Sequence, residues 1–411
     1  MVKKIPIARP YLGEEEAIAA TQAILSGWVT QGPRVERFEK EFSRYVGAEY
    51  ACATSSCTTA LHLALLAVGV RPGDVVITVS HSFIATANSV RLCGAEPIFV
   101  DIDLRTFNIS CIEVEKFLKE ECEKKEGRLY YKKAKELARG QSPVVFYCTG
   151  RVAAIMPVHQ MGMPADMKSI LSLARRFNLP VVEDAACAVG SEISMDGGIS
   201  WERIGKPHGD IACFSFHPRK VITTGDGGML TTNNSEYDKV FRLLRHHGMS
   251  VSDTARHAAG KVIFEEYLTT GYNYRMTDIQ AAVGMEQLKK LPNIMANRRK
   301  IADLYRRELE KISWLKLPEE PEYCRTNWQS YAVTILDGAP RSRDDLMQYL
   351  LDNGISTRRG VMNAHQEKPY ANSNFDLKNS EKARDSVILL PIFYGLKESE
   401  VEKIAELMKN A

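Results

Sequence analysis

The sequence has almost no excess of charge of either sign. Its 411 residues contain 54 Lys and Arg against 51 Asp and Glu, which leaves a formal net charge of +3. Proteins that bind nucleic acid or an anionic membrane surface through their overall charge need a larger basic excess. We therefore expect neither nucleic acid nor a membrane as a partner of this chain.

A long apolar run is also missing. The longest mostly apolar stretch, residues 60–70, is much shorter than the ~20 residues that a membrane-spanning helix needs. The segment from Met1 to Ala8 contains no extended apolar region before Arg9 and Pro10, so it does not resemble a secretory signal. The sequence therefore predicts a cytoplasmic protein.

Paired cysteines are absent too. The nine cysteines are scattered between Cys52 and Cys324, and no two of them are spaced as C-x-x-C. The histidines, including the adjacent His246 and His247, show no metal-ligand spacing with carboxylates. We expect reduced thiols, as in cytosolic proteins, and no bound metal.

What the sequence does contain is a regular alternation of strands and helices. Between Tyr50 and Phe216, short apolar strands alternate with helical segments and are separated by turns rich in Gly, Pro and Asp. Such alternation indicates right-handed βαβ units. The predicted fold class is therefore α/β, with a mostly parallel sheet flanked by helices.

Length and composition fit two domains. At ~150 residues per domain the chain has room for two or three folding units, and 45% hydrophobic residues are typical of a globular protein. We predict a large domain over 1–285, with an N-terminal helical segment at 1–48, and a smaller C-terminal α/β domain over 286–411. The Lys- and Glu-rich stretch at about 113–141 is predicted to be a solvated helical insertion.

One segment offers an amine for covalent chemistry. In GDIACFSFHPRKVITTGDGGML, residues 209–230, an alternating strand leads to Lys220 and then to a glycine-rich turn. A lysine at a strand end, beside glycines that permit close backbone approach, suits the amine of a Schiff base, and we expect its surroundings to lower its pKa. A lysine alone in such a turn is more often a surface residue, so the assignment depends on its companions.

Two further segments supply those companions. The apolar strand in PVVEDAACAVGS, residues 180–191, leads to Asp184, and strand ends are where α/β sheets place ligand chemistry. Pyridoxal phosphate needs such an acid opposite its pyridinium nitrogen. In ATSSCTTALHLALL a strand passes through Ser55 to Thr58 into a helix, whose N-terminus suits an anion. Each feature taken singly is also typical of an ordinary helix cap.

In this order and spacing, the segments resemble the DegT/DnrJ-type (StrS) sugar aminotransferases, within fold type I of the pyridoxal phosphate enzymes. The likeness covers nearly the whole chain, from SGWVTQGP at 26–33, through PVHQMGMPADM at 157–167, to GYNYRMTDIQAAVG at 271–284. Its most specific part is FSFHPRKVITTGDGG after VVEDAA. The resemblance implies a fold type I aminotransferase with pyridoxal 5′-phosphate as its cofactor.

The resemblance also implies a role for each matching residue. Lys220 would hold the cofactor as a Schiff base and carry a proton between cofactor and substrate, and Asp184 would pair with the pyridinium nitrogen. The other implied contacts are the phosphate ligands Cys57, Thr58 and Ser215, the ring neighbours Phe83 and Ala186, and Cys187 near the pyridoxal hydroxyl. Asn273 would reach the phosphate of the neighbouring subunit, which implies a homodimer with shared active sites.

Two of these positions depart from the family pattern. Cys57 stands where Gly is common, which keeps the backbone N–H but adds a thiol near the phosphate. Cys187 stands where many members have Gln or His, and a thiol is a weak donor. Lys220 itself argues against the branch of the family that carries His and dehydrates its substrate.

On the substrate side, the resemblance implies transfer of an amino group, usually from L-glutamate, to a keto-sugar that is typically linked to a nucleotide. The chemistry would be ping-pong and would serve amino-sugar or cell-surface polysaccharide biosynthesis, lipopolysaccharide included. The residues predicted to line the acceptor pocket are Trp28, Gln31, His159, Arg358, Arg359 and His365. Arg358 and Arg359 suit a pyrophosphate or a sugar-acid carboxylate, since a guanidinium group pairs with either in a bidentate manner.

Alternatives to this hypothesis use the same residues differently. A free keto-sugar acid or a cyclitol ketone could replace the nucleotide-linked acceptor. A catalytically silent relative with a regulatory or scaffolding role would not need Lys220 and Asp184 together. An enzyme that uses a Schiff base without pyridoxal phosphate, such as an aldolase, would leave Asp184 unexplained.

Overall fold

The structure is a computed structural model that describes residues 4–137, 148–251, 256, 259–260, 262–371 and 375–411. The helices within these residues are α1 (Glu14–Leu25), α2 (Pro33–Val46), α3 (Cys57–Ala67), α4 (Ala85–Leu92), α5 (Cys111–Lys116), α6 (Ala134–Leu137), α7 (Met167–Phe177), α8 (Ser235–Leu244), α9 (Asp278–Leu309), α10 (Arg343–Asp352), α11 (Lys378–Ser386) and α12 (Glu398–Lys409). The strands are β1 (Tyr50–Thr54), β2 (Val75–Val79), β3 (Glu96–Val100), β4 (Cys122–Lys125), β5 (Arg128–Tyr131), β6 (Val152–Ile155), β7 (Val182–Asp184), β8 (Glu192–Ile193), β9 (Glu202–Arg203), β10 (Ile211–Ser215), β11 (Gly228–Thr232), β12 (Leu315–Lys316), β13 (Cys324–Arg325), β14 (Tyr331–Ile335), β15 (Arg358–Arg359) and β16 (Val387–Leu390).

The large sheet is mixed but mostly parallel. Its strands form two hydrogen-bonded groups, β3-β2-β6 and β7-β10-β11-β1, and parallel bridges from Ile155 to Val181 and from Val158 to Asp184 connect the groups. Neighbouring strands are parallel except on either side of β11, which runs the opposite way. The predicted α/β fold is confirmed. One of the apolar strands predicted between Tyr50 and Phe216, at 144–147, lies outside the described residues.

Helices cover both faces of this sheet, and successive residues of β10 face different cores. Phe214 and Phe216 contact the ring of Phe42, on α2, at centroid distances of 5.1 and 5.6 Å. Ile211 and Cys213 lie in a second apolar cluster that includes most of α3. Because both faces are buried, the strands of this sheet are nearly continuous apolar runs in the sequence.

The 32-residue helix α9 links two apolar cores. Leu288 and Leu291 pack in the core of the large sheet, and Tyr305 and Leu309 pack in another core, which includes residues of the antiparallel sheet β12-β14-β16-β15. The predicted domain boundary at 285/286 falls within α9 and stays a prediction. Neither α9 nor any other helix in the described ranges is both long and apolar enough to cross a membrane.

The charged insertion differs from its prediction. Residues predicted as a solvated helix form α5, a short π-helical turn, the antiparallel hairpin β4–β5 and then α6, while 138–141 lie outside the described residues. Glu126 and Gly127 both have left-handed φ values, 49° and 77°, which is the requirement of a two-residue hairpin turn. The mixed charges of this stretch are exposed on a hairpin as they would be on a helix, so their spacing does not distinguish the two.

The aromatic core under the large sheet can be tested by truncation. Phe42→Ala is expected to lower the free energy of unfolding by about 3–5 kcal/mol, because Phe42 is fully buried and its removal leaves a cavity. Ile112→Ala is the control, since Ile112 is 77% exposed, and it should change that free energy by less than about 0.5 kcal/mol. Denaturant unfolding followed by circular dichroism measures both, and equal effects would contradict this placement of Phe42.

Candidate active site

The ends of several strands meet at one edge of the large sheet. β7 ends at Asp184, which pairs with Cys213 of β10. Two residues after Cys213, β10 ends at Ser215. Since β11 is antiparallel, its first residue, Gly228, lies opposite both Ser215 and Thr54, the last residue of β1. The carboxyl ends of parallel strands are the usual ligand-binding edge of an α/β sheet. Asp184, Ser215 and Gly228 therefore share the edge at which a ligand is expected.

Helix α3 begins at the same edge. Ser56 caps it by accepting a hydrogen bond from the N–H of Thr59 over 3.2 Å. The N–H groups of Cys57 and Thr58 lie in the first turn, where an α-helix offers them no carbonyl partner. Gly228 packs so closely on this turn that a Cβ there would overlap the carbonyl carbon of Ser56 and lie 2.7 Å from the nitrogen of Cys57. The turn can hold an anion such as a phosphate.

Lys220 lies in the turn that follows β10, and its side chain is half-buried. Its Nζ donates a hydrogen bond to Sγ of Cys187 over 3.0 Å. Burial acts to lower the pKa of Lys220, but Cys187 and the carboxylate of Asp184 act to raise it, and the net shift is upward. The expectation that the surroundings lower this pKa is wrong, because the neighbouring acidic groups outweigh burial.

Asp184 is only 4% exposed, and both of its oxygens have partners. Oδ2 accepts a hydrogen bond from Oγ1 of Thr86 over 2.8 Å, and Oδ1 accepts one from the N–H of Ala186 over 3.2 Å. Burial raises the pKa of Asp184, and these two hydrogen bonds and the charge of Lys220 oppose that rise without cancelling it. A cation placed against the carboxylate would hold it ionised.

Together these groups fit pyridoxal phosphate. An amine, a buried carboxylate and a helix N-terminus are what its aldehyde, its ring nitrogen and its phosphate require. Asp184 is close enough to perturb the pKa values of both Lys220 and Cys57, so the three groups form one cluster. Phe83, which is 64% exposed, and the half-buried Ala186 lie on the loops after β2 and β7, and both retain surface for contact with a ring.

Trp28 and Gln31 lie together in the loop between α1 and α2. Nε1 of Trp28 donates a hydrogen bond to the carbonyl of Gln31 over 3.1 Å. Gln31 lines a cavity of about 770 Å³ whose wall also includes His246. Neither Lys220 nor Asp184 is among the described residues that line this cavity.

The two histidines predicted at the substrate pocket are held by protein contacts. His159 is fully buried: its Nε2 lies 2.9 Å from Oε2 of Glu183, and its Nδ1 accepts a backbone hydrogen bond. The ring nitrogens of His365 lie 2.6 Å from Oγ of Ser80 and 3.1 Å from Oε1 of Glu381. Both rings fix neighbouring loops, and the structure does not present either one to a substrate.

Arg358, Arg359 and Asn273 are exposed. The two arginines form β15, the edge strand of the small sheet. The side-chain oxygen of Asn273 accepts hydrogen bonds from the guanidinium group of Arg275 over 3.2 Å. These three residues are accessible to a substrate or to a second subunit, and their roles stay predictions.

Sequence reasoning misses two residues of the cluster. Thr86 contacts Asp184 across 98 positions of the chain, and its one signal is its place three residues after Phe83 in SHSFIATANSV. Gly228 belongs to the glycine-rich turn, but which glycine packs on the first turn of α3 follows only from the pairing of β11 with β1.

The same arrangement of motifs defines a known family. A sequence profile of the DegT/DnrJ/EryC1/StrS aminotransferase family matches residues 10–409. The chain belongs to this family. The predicted membership is confirmed, as are the aminotransferase class and the fold.

Individual relatives agree with the profile over almost their whole length. The chain is 35% identical to GDP-perosamine synthase from Caulobacter vibrioides over 406 residues, which are 98% of this chain and 96% of that protein. It is 33% identical to the spore coat polysaccharide biosynthesis protein SpsC from Bacillus subtilis over 414 residues, 99% of this chain and 96% of the relative.

A solved relative supports the cofactor as well as the fold. The pyridoxal phosphate form of the putative sugar aminotransferase Spr1654 from Streptococcus pneumoniae superposes with a TM-score of 0.82 at 25% identity, covering 99% of this chain and 98% of that one. This chain is therefore an aminotransferase of the DegT/DnrJ/EryC1/StrS family with pyridoxal phosphate as its cofactor.

The close approach of Gly228 to α3 generates a prediction about cofactor binding. Gly228→Ala should weaken the binding of pyridoxal phosphate at least about tenfold, because the added methyl group displaces the turn that is predicted to hold the phosphate. Gly260→Ala is the control, since a Cβ there meets no atom of the described residues within 4 Å. Titration of each purified variant with pyridoxal phosphate, followed by its visible absorption, measures both. Wild-type affinity in Gly228→Ala would contradict the assigned phosphate site.

Proposed function

We propose that this enzyme transfers an amino group from L-glutamate to the keto carbon of a nucleotide-linked sugar by ping-pong chemistry. The observation that carries the proposal is the meeting of Lys220, Asp184 and the N-terminus of α3 at one sheet edge. GDP-perosamine synthase is named for a GDP-linked product, and this supports a nucleotide-linked acceptor. The Bacillus subtilis relative is named for the biosynthesis of spore coat polysaccharide, and this supports a role in polysaccharide biosynthesis. The proposed role is to supply amino sugars for a cell-surface polysaccharide such as lipopolysaccharide.

The residues of the cluster divide the chemistry among them. Bound pyridoxal phosphate acts as an electron sink, which eases removal of a proton from the carbon next to the substrate nitrogen. Nζ of Lys220 would take that proton and return it to the cofactor carbon on the other side of the same nitrogen, acting as base and then as acid. The carboxylate of Asp184 keeps the ring nitrogen protonated. The first turn of α3, with Ser215 opposite Gly228, holds the phosphate.

The side chains proposed for the acceptor come from two parts of the chain. Arg358 and Arg359 lie exposed on β15, and guanidinium groups pair with pyrophosphate oxygens in a bidentate manner. Gln31 lines the 770 Å³ cavity, and Trp28 donates a hydrogen bond to the carbonyl of Gln31. A free keto-sugar acid or a cyclitol would be recognised through the same arginines or through the loop alone.

A homodimer with shared active sites is part of the proposal. Asn273 is exposed, and its backbone pairs with His246, which lines the same cavity as Gln31. Exposed apolar side chains lie close by in sequence, among them Phe264 and Tyr267. If a second copy of the chain covered this surface, Asn273 of the first copy would reach the phosphate site of the second.

The spectrum of the loaded protein tests the proposed reaction. Pyridoxal phosphate should give a visible absorption band, and L-glutamate should abolish it as the amino group moves to the cofactor. Lys220→Ala should lose both the band and the conversion, and Lys403→Ala, whose lysine is exposed on α12, is the matched control. A band that persists with L-glutamate would favour the catalytically silent alternative. The half-reaction with L-glutamate alone releases one 2-oxoglutarate per cofactor, so continued release beyond that amount, measured with each of the three acceptor classes in turn, then identifies the acceptor.

Mixed dimers test whether the active sites are shared. Asn273→Asp places a negative charge against the partner's cofactor phosphate, and Lys220→Ala removes the amine. Each variant alone should be inactive. If Asn273 serves the partner's site, a refolded mixture should regain activity, because the hybrid holds one intact site. A mixture as inactive as its components would contradict shared sites.

A further inference from the structure

The carboxylate of Asp184 ends a short chain of buried hydroxyl groups. Thr86, on α4, donates a hydrogen bond to Oδ2 of Asp184 over 2.8 Å, and Oγ of Ser82 lies 2.7 Å from the same threonine oxygen. Thr86 is 2% exposed and Ser82 is 4% exposed. These two hydroxyl groups are therefore shielded from bulk water.

The ionised state of Asp184 determines which hydroxyl group donates in each of these two hydrogen bonds. An ionised carboxylate only accepts hydrogen bonds, so the single proton of the Thr86 hydroxyl is committed to Asp184. The hydroxyl of Ser82 must then donate to Thr86. A hydrogen bond to a charged acceptor is stronger than a neutral one, and a second hydroxyl behind the donor strengthens it further.

We propose that Thr86, with Ser82 behind it, is a positioning residue that keeps Asp184 ionised and aimed at the ring nitrogen of the cofactor. The inference rests on the proposed role of Asp184 in holding that nitrogen.

The surroundings of Asp184 show why such a donor is needed. Burial opposes ionisation, and the hydrogen bond from Thr86 is the largest contribution that lowers the pKa of this carboxyl. Lys220 supplies positive charge, but its amine is also the group that reacts. The titratable groups that face Asp184 are Lys220 after β10, Cys213 on β10, Cys57 on α3 and His159 after β6.

The loop that carries Ser82 is held from its other side by the C-terminal part of the chain. Oγ of Ser80 accepts a hydrogen bond from the N–H of His365 over 2.9 Å. Nδ1 of His81 lies 2.8 Å from Oδ1 of Asn363. These contacts fix the loop before the cofactor binds, so the hydroxyl pair does not have to be ordered by the ligand.

The test compares variants of Thr86 by their affinity for pyridoxal phosphate across pH. Thr86→Val keeps the shape of the side chain and removes the donor, so the dissociation constant should rise about tenfold. Without the donor, Asp184 takes up a proton at a higher pH, so the acid limit of cofactor binding should move up by about one pH unit. Thr86→Ser keeps the donor and should restore both values, and Ser82→Ala should give a smaller shift in the same direction.

A matched control separates this effect from lost packing. Thr78 on β2 is also a fully buried threonine, and its hydroxyl donates to the carbonyl of Met156 over 2.8 Å, outside the cluster. Thr78→Val should leave the acid limit where it is in the wild type. An acid limit that moves equally in Thr78→Val and Thr86→Val would overturn the proposal. If Thr86→Val does not fold, Ser82→Ala decides the matter: an acid limit above that of the wild type supports the proposal, and an unchanged acid limit overturns it.

Asp184→Asn distinguishes failure of this inference from failure of the proposed function. If Asp184→Asn binds pyridoxal phosphate as the wild type does, the role assigned to Asp184 is wrong. If Asp184→Asn weakens binding but Thr86→Val behaves as the wild type, the role of the carboxylate stands and the hydroxyl proposal falls.

Discussion

A buried carboxylate needs hydrogen bonds and opposite charge, because leaving it unpaired inside a protein costs several kcal/mol. Asp184 meets this requirement with a hydroxyl from α4, a backbone N–H two residues ahead and the amine of Lys220. These groups come from three separate parts of the chain around the large sheet. Their meeting depends on the parallel pairing of β7 with β10 and on the order of the neighbouring strands.

A second constraint is the space between β11 and α3. The first residue of β11 lies against the turn that begins the helix, and only a residue without a side chain fits there. That contact brings the N–H groups of Cys57 and Thr58 to the edge where Asp184 lies. The anion site and the acid site therefore follow from one arrangement of strands, although the sequence separates them by more than a hundred positions.

Much of this organisation could be predicted from the sequence, because the strands of a sheet buried on both faces are apolar runs and its ligand residues follow those runs directly. Lys220 and Asp184 were accessible in this way, and so was the cap of α3. The hairpin β4–β5 was not, because its charged residues are exposed in either conformation. The hydrogen bond between Thr86 and Asp184 could not be predicted for a different reason. It depends on how a loop packs across the sheet, and local sequence patterns contain no information about such packing.

Tertiary neighbours explain the other differences. The pKa of Lys220 depends on the acidic groups around it, which raise it against the effect of burial, and this rise could not be inferred from the glycines beside it. His159 follows a strand in a motif that suggests a pocket, yet its ring pairs with the fully buried Glu183. In both cases the residue was found in the expected region, and its neighbours decided its chemistry.

The proposed chemistry depends on a covalent bond between the amine of Lys220 and the cofactor. Borohydride reduction of the loaded protein, followed by proteolysis and mass spectrometry, locates that bond. We expect the pyridoxyl label on the peptide that contains Lys220. A label on a different lysine, or no label at all, would contradict it.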